Sequence, residues 1–132
     1  MRLRSQIEGL AVPAIVASVL ARDAIVAVTG NRTVDKAGAN AVAIGRISKT
    51  ALEAGGSGTI ETRFKELIEI KADGLLVAGD VVKLSAADGA GNQRVKKWTG
   101  QTDTVAGDKP ETIFGICWNG GADGGIVEVL TY

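Results

Sequence analysis

Short runs in which apolar and polar positions alternate, separated by glycine and polar turns, make up most of this chain. Residues 12–20 and 24–28 are rich in Val, Ile and Ala, and Gly30, Asn31 and Arg32 follow as a polar turn. Two short β-segments fit this pattern; a helix starting near Ala17 is the other arrangement it allows. Residues 41–47 alternate apolar with small side chains, and the link from Ala54 to Gly58 is flexible, so strand, loop and return strand are predicted there. Between Ile60 and Ile70 two periods overlap. Ile60, Phe64, Leu67 and Ile68 suit a helix, whereas Ile60, Thr62, Phe64, Ile68 and Ile70 suit a period of two broken at Glu66. Thr59, Ile60, Thr62 and the flanking glycines favour one strand, bulged near Glu66.

Ala72, Asp73 and Gly74 read as a turn, and Gly79-Asp80 opens an apolar strand over residues 81–85. After a loop at 87–92, residues 93–98 return beside it as a hairpin, with Arg94, Lys96 and Trp98 on one face and Val95 on the other. Strands are predicted over 112–118 and 126–131, joined by the Gly-rich loop 119–125. Turn signals recur roughly every ten residues, the spacing of an all-β sandwich or barrel. Residues 43–47, a Gly-rich link and residues 58–61 parallel residues 113–117, a Gly-rich link and residues 125–128. A duplication, or two hairpins obeying the same turn chemistry, would each produce that echo.

Composition narrows the chemistry. Of 132 residues 18 are Gly and 2 are Pro, and the 15 basic side chains balance the 15 acidic ones, so no net field draws the chain to nucleic acid or anionic lipid. The absence of His removes the usual general base, the commonest metal ligand and every Ser-His or Cys-His nucleophile. Cys117, the single Cys, cannot form an internal disulfide and reads as a small buried apolar group. Gly107-Asp108-Lys109-Pro110 lacks the spaced glycine and hydroxyl of a phosphate loop, and Gly89-Ala90-Gly91 lacks the third glycine of a dinucleotide fingerprint. Gly120 to Gly125 carries one carboxylate, Asp123, too few for calcium. Asp80, Asp88, Asp103 and Asp123 lie in or beside predicted turns, which explains them better than paired acid-base work. Arg94 to Trp98 joins cations to an aromatic but has no second basic cluster, so it reads as a solvated strand face or a contact with an acidic protein surface. No catalytic site, cofactor or metal is expected.

The succession AIVAVTGNRTVDKAGANAVAIGRI (24–47), GTIETRFKELIEIKADGLLVAGDVVKLSA (58–86) and TIFGICWNGGADGGIVEVLTY (112–132) resembles the tailed-phage head decoration proteins, also called capsid cement proteins. The matching features are the strand Gly45 to Ile47 after an Ala-Gly loop, the turn Ala78 to Val81, and the closing hairpin from Phe114-Gly115-Ile116 through Gly125 to Val129. The resemblance covers about residues 24–132. It implies a small Gly/Ala-rich β-barrel or β-tulip-like domain, a homotrimer at local threefold positions of an icosahedral head, and no catalysis. The implied role is to bind the outside of the capsid and clamp neighbouring major capsid subunits, in a protein made in the host cytoplasm and ending in the virion. The alternative is a β-domain that recognises a host receptor or carbohydrate.

The first 23 residues depart from the short start usual in that family. Arg2, Arg4 and the apolar stretch 10–21 look superficially like a secretory signal, but Glu8 and Pro13 interrupt both of its parts, and a dozen apolar residues fall short of the ~20 that span a bilayer. No membrane association is expected. The chain is therefore divided into an N-terminal arm, 1–23, partly within the β-domain, and a single β-domain, 24–132. An extended arm can add a strand to a neighbour's sheet edge, with Ile7, Leu10, Val12 and Ile15 packing on a capsid subunit or adjacent protomer. The other reading makes residues 10–20 an internal core strand. Trp98, Trp118 and Tyr132 are the aromatic candidates for interface anchors in a chain poor in aromatics.

Overall fold

The computed structural model describes residues 11–51, 53–62, 66–100 and 110–131. Ten strands run through them: β1 (Ala11–Val16), β2 (Ile25–Gly30), β3 (Thr33–Lys36), β4 (Gly45–Ile47), β5 (Ser57–Thr62), β6 (Leu67–Ala72), β7 (Val81–Ser85), β8 (Arg94–Lys97), β9 (Ile113–Asn119) and β10 (Ile126–Thr131). A short 3-10 turn, Pro110–Thr112, leads into β9. The described chain is all-β, as expected from the turn spacing, and none of it is a helix long and apolar enough to cross a membrane.

The strands close into two barrels, not one. The first is ordered β1-β3-β2-β4-β5 and the second β6-β8-β7-β9-β10, the same order five strands later. Pairing sense is kept throughout: β1–β3 and β6–β8 are parallel, and the other pairs are antiparallel. Closure leaves no free edge strand in either barrel. Register is kept as well. Val16 faces Val34 as Ala72 faces Val95, Val26 faces Gly45 as Val82 faces Gly115, and Ile47 faces Ile60 as Cys117 faces Val129. Outside the strands, the bridge Leu20–Ala51 repeats as Leu76–Gly121. The turn bonds repeat too: Asp23 N–H to Ile47 O and Gly79 N–H to Cys117 O, Gly55 N–H to Val16 O and Gly124 N–H to Ala72 O. The left-handed backbone of Asp23 and Gly55 recurs at Gly79 and Gly124. A correspondence this detailed favours the duplication reading of the sequence echo, whose two hairpins are β4–β5 and β9–β10.

Each barrel is filled by the inward half of its alternating strands. The first core is Ala14, Val16, Leu20, Val26, Val34, Ile47, Ala51 and Ile60. In the second, Ile70, Ala72, Leu76, Val82, Leu84, Val95, Cys117, Val127 and Val129 are buried. The second compact unit also takes in residues 38–42, where Asn40 N–H donates to Leu84 O at 3.1 Å.

One expectation is corrected by this architecture. The strand read across 60–70 is two strands, β5 and β6, which lie in different barrels and different compact units. Its period of two ran through a barrel boundary, and Glu66 marks the break, donating its N–H to Thr131 Oγ1 at 3.0 Å. Of the region 1–23, residues 11–16 lie within a barrel as β1, hydrogen-bonded to β5 on one side and β3 on the other. With both edges paired, residues 11–16 have no edge left for strand addition to a neighbour, and the core-strand reading holds for them. β3 had not been expected, because Thr33–Lys36 offers only Val34 as an apolar side chain.

Candidate functional site

The chemical motifs resolve into turn chemistry. Asp123 Oδ1 accepts the Gly74 N–H at 2.8 Å, and Asp80 Oδ2 accepts the Val77 N–H at 2.9 Å. Asp88 organises its loop by accepting the N–H groups of Ala90 and Asn92, both at 2.9 Å, and by pairing with Lys71 Nζ at 2.6 Å. The Lys71 ammonium, followed by the Asn92 backbone and side-chain bonds, holds the Asp88 carboxyl far below the ordinary carboxylate range. Burial pushes the Cys117 thiol up, with the charge of Asp80 adding to it. Cys117 therefore stays a protonated core group, contrary to what a nucleophile needs. Among the described residues no three His, Cys, Asp or Glu side chains gather as a metal site. The run Gly107-Asp108-Lys109 and Asp103 lie outside the described residues.

The anchor candidates separate. Ile7, Leu10 and Tyr132 lie outside the described residues. Val12 is half-buried opposite the buried Ile60, whereas Ile15 points outward, opposite Ser57 and Thr33. Trp98 is half-buried; its backbone N–H donates to Val81 O at 2.7 Å, and its ring lies 3.6 Å from where a Cβ on Gly100 would stand. Trp118 is 61% exposed. Asn119 pairs with Glu128 and Cys117 with Val129, so Trp118 is the extra residue of a β-bulge, the device that turns a side chain out of a barrel wall.

Trp118 borders an outward surface that sequence reasoning missed, because it depends on register. Across β6, β10 and β9, Leu67 faces Leu130, which faces Ile116. One step along, Glu69 faces Glu128, which faces Asn119. Leu67 and Leu130 are 47% and 40% exposed. Among the described residues neither the Glu69 nor the Glu128 carboxylate has a hydrogen-bond or ion-pair partner, and like charges directly opposite on neighbouring strands destabilise a sheet. In the first barrel the corresponding positions read differently. Ala11 faces Glu61, which faces Arg46, and Pro13 faces Thr59. There the guanidinium of Arg46 neutralises the carboxylates, reaching Asp23 at 2.7 Å and Glu61 at 3.1 Å. One topology thus carries a self-paired ionic face in the first barrel and an apolar face with uncompensated carboxylates in the second.

Neither a protein-family model nor a curated protein matches the sequence. Among solved structures, the chain is similar to the N base of head fiber gp8.5 of bacteriophage phi29, at 15% identity, with a TM-score of 0.55 over 93% of each chain. At that identity the likeness establishes a shared fold, and it extends over both barrels.

Proposed function

We propose that this chain is a structural protein of a phage head. The observation that carries the reading is the fold shared, over 93% of both chains, with the base of a head fiber. The ordered resemblance of residues 24–132 to head decoration proteins supports the same reading from the sequence. In the fuller form of the proposal, the protein sits on the outer surface of the capsid, binds the major capsid protein and clamps neighbouring subunits. A homotrimer suits a site where three subunits meet, because each protomer then presents the same surface to an equivalent neighbour. The role is non-catalytic: the sequence has no His, and its one thiol is buried and held protonated.

A protein that binds only the assembled shell stabilises it by mass action, about 2.7 kcal/mol per site at a hundredfold excess over Kd. The test compares heads carrying the protein with heads stripped of it, under heating and osmotic shock. Stripped heads are expected to release their genome at lower temperature; equal survival would refute clamping.

A further inference from the structure

We infer that the β6–β10–β9 face of the second barrel is a docking surface for a protein partner that presents Lys or Arg among apolar side chains. The inference rests on the head reading and deepens it by naming the face that meets the shell. Three independent features of the face converge. Leu67, Leu130 and Ile116 form an outward apolar row across three adjacent strands, where a solvated barrel wall would carry polar residues. Trp118 is thrown outward beside it by the bulge, and tryptophan is among the side chains enriched at the energetic centres of protein interfaces. Glu69 and Glu128 oppose each other with no cation at ion-pair distance among the described residues, Lys71, the next residue on that face, being held by Asp88 at 2.6 Å, so a partner's ammonium or guanidinium would convert a like-charge pair into an attraction.

The first barrel serves as an internal control. The same fold, at the same positions, is built without this arrangement: Glu61 has Arg46, and Pro13 and Thr59 stand where Glu69 and Glu128 do. The repulsion is thus not a requirement of the fold. Charge complementarity fixes the chemistry of the partner: a basic side chain reaches both carboxylates while its apolar neighbours cover the leucine row. A second acidic surface, including the same face of another copy, would be repelled.

The experiment measures co-sedimentation of the full chain with phage heads depleted of it. The wild type is compared with Glu69→Lys/Glu128→Lys, with Glu69→Gln/Glu128→Gln, and with Thr59→Lys, the position in the first barrel that matches Glu128. Charge reversal is expected to weaken binding roughly tenfold or more, and neutralisation less. Thr59→Lys is expected to bind as the wild type does. The Gln pair is expected to melt no lower than the wild type, since it removes a repulsion, so its weaker binding cannot be ascribed to misfolding. Wild-type binding that falls with rising salt, more steeply than that of the Gln pair, supports the ionic component. If the charge-reversed and Gln proteins bind as tightly as the wild type, this face is not the docking surface, while the head reading survives. Equal loss of binding in Thr59→Lys overturns the face assignment in the same way. A wild type that does not bind heads at all overturns both.

Discussion

Gly58 and Val127 stand at the same place in the two barrels, each on the last strand opposite an inward residue of the first strand, Ala14 or Ile70. Their neighbours are exchanged to match. A Cβ on Gly58 would lie 2.7 Å from Ile47 Cδ1 and 3.0 Å from Val16 Cγ1, and in the second barrel those two positions hold the smaller Cys117 and Ala72. Volume removed at one wall is returned at the other, as close packing requires.

This exchange predicts a coupled pair. Cys117→Ile alone overpacks the second barrel and costs about 1–3 kcal/mol. Val127→Gly alone opens a cavity and costs about 2–4 kcal/mol. The double variant restores the Gly58–Ile47 part of the first barrel's arrangement, with Ala72 still in place of Val16, and loses less than the two costs combined, with a coupling of about 0.5–3 kcal/mol. Urea unfolding of the four proteins measures the cycle, and additive costs would contradict the packing account.

Gly45 and Gly115 are a second matched pair. A Cβ on Gly45 would fall on the carbonyl of Glu61, and one on Gly115 on the carbonyl of Leu130, backbone that cannot step aside cheaply. Gly45→Ala and Gly115→Ala are each expected to destabilise by at least about 2 kcal/mol. Gly89→Ala, which has open space around its Cβ and no left-handed backbone, is expected to stay within about 0.5 kcal/mol of the wild type in the same denaturation series.

The Asp88 loop predicts a specific acid sensitivity. Its folded pKa lies below its unfolded value, near 3.9, so the Lys71–Asp88 contribution is complete above about pH 4 and is lost as the pH falls toward the folded pKa. Asp88→Asn lacks that contribution at every pH. The stability difference between wild type and Asp88→Asn is therefore expected to be constant from pH 7 to about 5 and to shrink below about 4. A difference that grows on acidification would refute the assignment.

Trp118 separates stability from binding. Being 61% exposed, it can be replaced by Ala with a stability change within about 0.5 kcal/mol, while head binding weakens. A large drop in melting temperature with unchanged binding would make Trp118 a structural residue.

Sequence reasoning recovered elements whose apolar residues are regularly spaced and bounded by glycine, such as β7, β8 and the β9–β10 hairpin. It also registered the likeness of 43–61 to 113–128, which is the visible remnant of the repeat. It could not separate the barrels, because the alternation around Ile60 carries on to Ile70 across the boundary, and pairing partners leave no local mark. β1 looked too apolar for a half-buried strand, since Ile15 points outward at 44% exposure. The docking face was illegible for the same reason: Glu69 and Glu128 are 59 residues apart and meet only through the β6–β10 register.

The most direct test of the account is a pair of cryo-electron microscopy reconstructions, of heads from phage carrying the gene for this chain and from phage lacking it. The account predicts difference density on the outer shell, at positions where capsid subunits meet, that accommodates the two five-stranded barrels. Identical maps, or difference density only inside the shell, would contradict it.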